Sequence, residues 1–201
     1  MSSVTIIWLL AALVYGLFWW WYIGFNRKVK TEEVNGFIER LASGTSDPEQ
    51  IEMMRVFLGK DDGKEFVMVN LLSLFKDANG SPNEARQVLN DYQKPFLTEV
   101  LKRGGHPMLV SCAVGSSIEL WGTAEENKNW GSLGLIRYRS RRDLVECLLL
   151  PAFQGTHHFK QKALEKTFAF PSQLMLHPTS PRWVVLLLVI TVALAAQLIV
   201  S

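Results

Sequence analysis

The chain has 201 residues, of which 48% are hydrophobic and 20% are charged, and its formal net charge is +2. This composition excludes a disordered chain, a collagen-like chain and a strongly basic nucleic-acid-binding protein. The charges are unevenly distributed, because all 21 Lys and Arg and all 19 Asp and Glu residues lie between Arg27 and Arg182. A charged centre between two uncharged ends is typical of a membrane protein with one soluble domain.

Each uncharged end is long enough to form a transmembrane helix. Val4 to Phe25 is a run of 22 residues, and Trp183 to Val200 is a run of 18 residues. As helices they measure about 33 Å and about 27 Å, close to the roughly 30 Å of a hydrocarbon core. The first run is too long, and too aromatic at its end, for a cleaved signal peptide. We therefore predict transmembrane helices over residues 1–25 and 181–201.

The basic residues next to the two spans predict the orientation of the chain. Arg27, Lys28 and Lys30 follow the first span and Arg182 precedes the second, whereas the outer tails carry no Lys or Arg. By the positive-inside rule, the central domain is cytoplasmic and both termini lie on the outer side, which we assign to a bacterial inner membrane. Two reduced, buried cysteines, at positions 112 and 147, agree with a cytoplasmic domain.

The charged centre is divided into a linker and one domain. Residues 26–60 are predicted as a linker with short amphipathic helices at Thr31 to Leu41 and Pro48 to Leu58. Residues 61–180 are predicted as the domain, which begins with Phe66 to Phe75, a strand that is apolar on both alternating faces. The later predicted elements are a helix from the Ser81–Glu84 capping box to Gly104, bent at Pro95, a strand Met108 to Trp121, a strand Leu133 to Arg139, a helix from Ser140 that ends before Pro151, a helix Thr156 to Phe168 and a strand Ser172 to Leu176.

The order β-α-β-β-α-β predicts an α+β fold, the ferredoxin-like split βαβ arrangement, with helices on one face of an antiparallel sheet. Because the first strand is apolar on both faces, the face without helices needs a second cover. The simplest cover is the sheet of another copy. We therefore predict a two-fold homodimer through this domain.

Several spaced motifs resemble a known superfamily. They are VMVNLL at residues 67–72, the helix that carries Tyr92, Arg103-Gly104-Gly105, Trp130 before LGLIRYRS at residues 133–140, and a helix that begins at His157. Together, over about Asp47 to Phe170, they resemble an uncharacterised family of the dimeric α+β barrel superfamily. This resemblance implies a barrel domain from a superfamily that includes cofactor-free monooxygenases, isomerases, haem-binding enzymes and members without known activity. The chain departs from the family pattern at Gly131, Arg139 and Phe159.

The candidate site residues are an amide, two histidines, aromatic side chains and an arginine. Asn70 is an amide within an apolar strand, so it either orients a ligand in the barrel or satisfies a bulge or strand end. His157 and His158 are adjacent, diverge by about 100° on a helix and so cannot chelate one metal together. At most one of them faces the pocket, where it would act as an acid–base group or as a haem ligand. The alternative is that both are surface residues. No metal site is predicted. The other candidate ligand-binding residues are Tyr92, Trp121, Trp130 and Arg137.

The densest basic cluster consists of Arg137, Arg139, Arg141 and Arg142. It would hold a carboxylate or phosphate, although the last two are expected to be solvated or to meet lipid headgroups. Without the four basic residues next to the spans, the domain has 17 Lys and Arg against 19 Asp and Glu, so no nucleic-acid partner is predicted.

Two functions from different classes follow. The first is a non-catalytic oligomerisation or accessory subunit of a membrane complex, with lipid and other membrane proteins as partners of the spans. The second is a cofactor-free or haem-dependent enzyme, of monooxygenase or isomerase type, that acts on a lipophilic molecule in the barrel. No phosphate-loop, dinucleotide, zinc-protease or serine-hydrolase motif is present in the sequence, which removes those mechanisms but does not exclude catalysis.

Overall fold

The structure is a computed structural model that describes residues 1–25, 27–44, 47–76, 81–119, 121–122, 129–154, 160 and 162–200. For Tyr92, Ala152 and Gln154 the description is limited to the backbone. The chain forms two compact units, one from Met1–Phe25 with Leu174–Ser201 and the other from Asn26–Gln173. We refer to them as the apolar unit and the α+β unit.

The described residues form helices α1 (Ser3–Ile23), α2 (Thr31–Ala42), α3 (Pro48–Gly59), α4 (Asn83–Lys102), α5 (Arg141–Leu148), α6 (Pro151–Gln154) and α7 (Pro181–Val200). They also form strands β1 (Phe66–Leu74), β2 (His106–Cys112), β3 (Ser132–Tyr138) and β4 (Leu164–Ser172).

The apolar unit consists mainly of α1 and α7, and both helices are long and apolar enough to cross a membrane by length and composition. Polar side chains join them along their length. Trp8 Nε1 donates a hydrogen bond to Gln197 Oε1 at 2.8 Å, and the Tyr15 hydroxyl donates to the carbonyl oxygen of Arg182 at 3.4 Å. The Arg182 guanidinium lies 5.4 Å from the ring centroid of Tyr22. Such contacts are worth about 1 kcal/mol each between apolar helices, so they contribute modestly to pairing.

The α+β unit is built on a four-stranded antiparallel sheet with the order β2-β3-β1-β4. β1 is central, as predicted, because its continuous apolar sequence is suited to a strand with neighbours on both sides. Side chains on the strands alternate between two faces. One face, which we call the helix face, includes Met68, Asn70 and Leu72. The opposite open face carries Val69, Leu71, Leu109, Leu133, Leu135, Phe168 and Phe170.

Two predicted strands have different boundaries in the structure. β2 ends at Cys112 and not at Trp121, because its partner β3 begins at Ser132, which pairs with Cys112, and the next residues include Gly115 and two serines. The last strand is Leu164–Ser172, so the predicted helix Thr156 to Phe168 ends earlier than expected. Lys160, Lys162 and Ala163 are helical, and residues 156–159 and 161 lie outside the described residues. The strand predicted over Ser172 to Leu176 is wrong after Ser172. Nonlocal pairing with β1 overrides the helix-forming composition of this segment.

Helices α2 and α3 belong to the α+β unit. Their apolar residues form one core cluster with α5, which contains Val29, Val34, Ile38, Leu58, Val145 and Leu149. The segment 26–60, predicted as a linker, therefore contributes to the core of this unit. A second cluster joins the sheet to α4 and α5 and contains Phe66, Val100, Tyr138, Leu144 and Cys147.

The ends of α4 and α5 show which local signals were correct. Ser140 is the N-cap of α5, as predicted, and its Oγ accepts a hydrogen bond from the Asp143 backbone N–H at 3.1 Å. The capping box predicted at Ser81 is shifted, because α4 begins at Asn83, and the Ser81 hydroxyl accepts a hydrogen bond from the Asn83 backbone N–H at 3.3 Å. At the other end of α4, Gly104 has a φ of +73°, and a Cβ on Gly105 would lie 2.6 Å from a Val100 methyl group. Both glycines are required for this turn.

Candidate ligand cavity

A cavity of about 1640 Å³ lies within the α+β unit, between the helix face of the sheet and helices α3 and α4. Its volume exceeds the roughly 300–1,000 Å³ of common small-molecule sites. Its apolar lining includes Met54, Phe57, Met68, Leu72, Leu89, Phe96, Ile136 and Leu144. The predicted site was the interior of a barrel between two sheets, whereas this cavity is formed by one copy of the chain.

The face of α4 that lines the cavity is partly polar. Arg86, Leu89, Asn90, Gln93 and Phe96 all line it, and their spacing of three or four residues places them on one side of the helix. Within the described part of the chain, the side chains of Asn90 and Gln93 have no hydrogen-bond partner. Gln93 is half-buried, whereas Arg86 and Asn90 are exposed. A half-buried polar side chain without a described partner beside an apolar wall is typical of a ligand site.

Asn70 and Gly134 form the floor of the cavity as a cross-strand pair. Asn70 Nδ2 donates hydrogen bonds to the carbonyl oxygens of Met68 at 3.1 Å and Gly134 at 3.3 Å. These bonds hold the amide in place and leave Oδ1 without a donor among the described residues. A Cβ added to Gly134 would have no atom within 4 Å, so the space above this pair is open. A glycine inside a strand often marks such a close approach.

The two ends of the cavity differ in chemistry. At one end, Phe96 lies over Tyr138 with ring centroids 6.4 Å apart, and Phe57 contributes a further ring. At the other end, Leu72 and Leu89 pack with Ala163 and Leu164, and the cavity is lined there by Lys160. Burial lowers the pKa of the Lys160 ammonium below its usual value. Among the described residues, no acidic side chain pairs with it.

The predicted site residues have different positions in the structure. Asn70 and Trp130 line the cavity. Trp121 does not lie among the described lining side chains and is 84% exposed. Tyr92 lies in α4, and only its backbone is described. His157 and His158 lie outside the described residues, so their predicted roles stay predictions.

Arg137 lies outside the cavity lining and is bound by protein groups. Its side chain is 1% exposed, and Nε and Nη2 donate to Glu65 Oε2 at 2.8 and 2.5 Å. Nη1 donates to the carbonyl oxygen of Gly104 at 2.5 Å. Arg137 therefore connects β3 to the turn after α4, and these partners occupy the guanidinium that was predicted to bind a ligand.

The other arginines of the cluster also pair within the α+β unit. Arg139 donates two hydrogen bonds to Asp143, at 2.9 and 2.8 Å. Arg141 lies 3.6 Å from an Asp61 carboxylate oxygen, and Arg142 pairs with Glu33. The expectation that the last two are solvated or meet headgroups is wrong, because their side chains are 19% and 15% exposed. Local salt-bridge geometry explains the cluster without a ligand.

Asp143 is at the centre of these ion pairs. Its side chain is 2% exposed and also accepts from Arg27 at 2.8 Å and from the Ser140 hydroxyl at 2.7 Å. Burial alone would raise the pKa of Asp143, but the hydrogen bonds from Arg139 and Ser140 outweigh it and lower the pKa below its usual value. Asp143 is therefore a charged structural residue at neutral pH.

The two cysteines have opposite surroundings. Cys147 is buried, and burial raises the pKa of its thiol to about 11. Cys112 is exposed at the edge of the cavity, contrary to the prediction that both are buried. A thiol with a raised pKa carries little thiolate at neutral pH, so Cys147 is unreactive in the folded chain.

Sequence reasoning missed Asn90, Gln93, Gly134 and Lys160 as cavity residues. For Gly134 a signal exists, because it interrupts an apolar strand directly opposite Asn70. Polar residues on an amphipathic helix are normally assigned to the solvent side. For Gln93 that rule fails, since it lines the cavity and is half-buried, whereas Asn90 lines the cavity from an exposed position.

No protein-family model matches this chain, and no curated protein matches it. Among solved structures it is similar to RPA0582, a protein of unknown function from Rhodopseudomonas palustris, with 17% identity and a TM-score of 0.48 over 66% of this chain and 97% of that chain. It is also similar to methylated RPA0582, with 18% identity and a TM-score of 0.47 over 68% of this chain and 96% of that chain. Both are too distant to assign a family or a function.

Proposed function

We propose that this chain is a membrane-anchored α+β protein whose central unit binds a lipophilic small molecule in the cavity. The observation that carries the proposal is the open space above the Asn70–Gly134 pair, where a fixed amide meets apolar walls. A large concave apolar site with a few convergent polar groups is the usual form of a small-molecule site. Asn70 Oδ1 would accept a hydrogen bond from the ligand.

A substitution at Gly134 tests this directly, because an added Cβ meets no atom within 4 Å and a longer side chain would extend into the cavity. We expect Gly134→Leu to abolish ligand retention, since the new side chain enters the space above Asn70. Gly36→Leu is the matched control, because Gly36 is exposed on α2, lies outside the described lining and also has 4 Å of free space around an added Cβ.

The measurement is native mass spectrometry with a UV-visible spectrum, on the full chain gently extracted from its own membrane. The wild type and Gly36→Leu should carry the same bound small molecule, and Gly134→Leu should be empty. If Gly134→Leu carries that molecule at the wild-type level, the cavity is not its site. A haem or flavin spectrum in the wild type would extend the proposal to an enzyme of the monooxygenase or isomerase type.

We also infer that the α+β unit has the ferredoxin-like arrangement of the dimeric α+β barrel superfamily, and that two copies associate through their open faces. The antiparallel order β2-β3-β1-β4 supports the arrangement. The open face supports association, because Phe168, Phe170 and Leu109 are 53%, 39% and 47% exposed on one apolar surface. Such a surface would also make the chain an oligomerisation platform or accessory subunit of a membrane complex.

The dimer is tested with two leucines of equal exposure. Leu109 and Leu101 are each 47% exposed, but Leu109 lies on the open face and Leu101 lies on α4. We expect Leu109→Glu to convert a detergent-solubilised dimer to a monomer by light scattering, since it buries a charge in the interface. Leu101→Glu should remain dimeric. A wild-type monomer in this measurement would refute the association.

We propose that α1 and α7 span the membrane, with the central unit on the cytoplasmic side of a bacterial inner membrane. The basic residues beside the spans support this orientation. Cys112 is a natural probe, because it is exposed while Cys147 is buried. A membrane-impermeant maleimide should label Cys112 in inside-out vesicles and leave it unlabelled in right-side-out vesicles. The reverse labelling pattern would place the unit outside.

A further inference from the structure

Among the basic side chains that line the cavity without an ion pair to a described residue, Lys160 is half-buried, whereas Lys60, Lys76 and Arg86 are exposed. Lys160 lines the cavity and has no ion pair or hydrogen bond with a described residue. It precedes Ala163 and Leu164 by three and four residues, and these two pack against Leu72 of β1 and Leu89 of α4. We therefore assign Lys160 to the end of the cavity where β1 finishes and α4 begins.

Two further basic side chains line the cavity near this end, and both are exposed. Arg86 lines the cavity from α4, one turn before Leu89, and Lys76 lines it just after β1. Among the described lining residues, the acidic side chains are Glu49 and Glu52, and both lie on the first half of α3. The Lys160 end thus combines basic side chains with an apolar wall. This combination favours an anionic group on the ligand.

The cost of burial gives the physical reason for such a group. An ammonium that leaves water for an apolar cavity loses hydration, and burial accordingly lowers the pKa of Lys160. A bound carboxylate would restore a favourable partner and stabilise the charged amine. No acid among the described residues has this role, and a carboxylate on the ligand would supply it.

The remaining lining is ordered along the cavity. From the Lys160 end, the strand carries Leu74, Leu72, Asn70 and Met68, and this floor is about 20 Å long at roughly 3.3 Å per residue. Asn70 is in its middle. The far end is closed by the rings of Phe96 and Tyr138. Lys60 and Arg141 also line the cavity, but Lys60 is exposed, and Arg141 lies 4.6 Å from the Phe57 ring centroid and pairs with Asp61. A half-buried ammonium without a described partner at one end, an amide in the middle and aromatic rings at the other end suit an elongated amphipathic molecule.

We propose that the cavity binds an amphipathic carboxylate, whose anionic group pairs with the Lys160 ammonium and whose apolar body extends along β1 toward Phe96. This inference rests on the proposed function and specifies the chemical class of its ligand. Asn70 positions the middle of the molecule, and Arg86 strengthens the positive potential at the anionic end.

The test measures binding of two fluorescent probes to the full chain in nanodiscs, with empty nanodiscs subtracted. The probes are dansylaminoundecanoic acid and its methyl ester, which differ in charge and little in their apolar body. We expect the wild type to bind the acid at least about tenfold more tightly than the ester, as for a charge-assisted hydrogen bond. Lys160→Met should remove that preference and leave the affinity for the ester within about twofold.

Two further variants separate charge from structure. Lys160→Arg keeps the charge and should restore most of the preference for the acid. Lys162→Met is the matched control, since Lys162 is exposed, lies two residues away and is outside the described lining, and it should bind both probes like the wild type. Equal affinity of the wild type for acid and ester would overturn the inference, as would a Lys160→Met variant with unchanged preference or with equal loss of both probes.

The proposed function fails in a different way. If Gly134→Leu binds both probes as tightly as the wild type, the probes do not occupy the cavity, and the cavity proposal is overturned together with the inference. If Gly134→Leu loses both probes while Lys160→Met leaves the preference for the acid unchanged, the cavity is the site and only its ligand class is wrong.

Discussion

The charged cluster around α5 and the polar lining of the cavity belong to the same unit but differ in how their groups are satisfied. Asp143 accepts hydrogen bonds from Arg27, Arg139 and Ser140, and all of these partners come from the chain itself. In the cavity, Gln93 and Lys160 have no partner among the described residues. Buried polar groups are costly unless they are paired. The first region is therefore a structural anchor, and the second is suited to a ligand.

The largest expected effect is loss of the anchor. Asp143→Ala leaves Arg139 and Arg27 without their shared buried carboxylate, and removal of one partner from a buried ion pair costs about 3–5 kcal/mol of unfolding free energy. The readout is the rate at which Cys147 reacts with a maleimide as denaturant is added, because this thiol is buried in the folded chain.

Cys112 is replaced by Ser in all variants for this measurement, so that a single thiol reports unfolding. The control is Lys102→Ala, which breaks an exposed i,i+3 pair with Glu99 and should cost less than about 0.5 kcal/mol. If the two variants lose similar stability, Asp143 is not the anchor that its contacts indicate.

An intermediate effect comes from a glycine-to-alanine substitution placed either in the turn after α4 or in the floor of the cavity. A Cβ on Gly105 would lie 2.6 Å from Val100 Cγ1 and 2.8 Å from the Arg137 carbonyl oxygen, so Gly105→Ala should destabilise the unit by about 1–3 kcal/mol. Gly134→Ala meets no atom within 4 Å and reduces the entropy of the unfolded chain, so it should stabilise by about 0.5 kcal/mol.

The same Cys147 labelling measures both glycine variants. If Gly105→Ala lowers the free energy of unfolding and Gly134→Ala raises it, the turn after α4 is closely packed while the cavity floor is open. A destabilised Gly134→Ala would mean that the space above the floor is filled in the folded protein, and the cavity would then not be available to a ligand.

Some of this contrast was visible in the sequence. The apolar run of β1 identified a central strand, and Asn70 was recognisable because an amide within such a run needs a partner. Ser140 and Asp143 identified the start of α5 because a cap is a local signal. These features depend on neighbours along the chain, so the sequence pattern alone was sufficient to predict them.

The features that the sequence did not predict depend on distant contacts. Leu164, Glu165 and Lys166 favour a helix by composition, but pairing with β1 makes them a strand. Arg137 was predicted to bind a ligand. Its partners in the structure, Glu65 and Gly104, are distant in sequence, so no local pattern indicated that they occupy its guanidinium. Lys160 resembles any surface lysine until the packing of the residues after it places it in the cavity.

The smallest expected effect lies at the edge of the anchor, where Glu33 pairs with Arg142. The hydrogen bond from Arg142, followed by that from the Lys30 backbone N–H, lowers the pKa of Glu33 to about 2. A lowered carboxylate pKa stabilises the fold above the unfolded-state value of 4.5, and this contribution is lost as the pH falls toward 2. Because the Glu33 side chain is 34% exposed, solvent screening limits the gain to less than about 1 kcal/mol.

Glu33→Gln removes this titration while it keeps a polar side chain of the same size. We expect the variant to be slightly less stable than the wild type at pH 7 and equally stable near pH 2, so the two curves of unfolding free energy converge as the pH falls. Asp143, Asp62 and Glu99, whose pKa values are also lowered, still titrate in both proteins and give them the same remaining slope. Parallel curves between pH 4.5 and 2 would mean that Glu33 contributes nothing to stability through its charge.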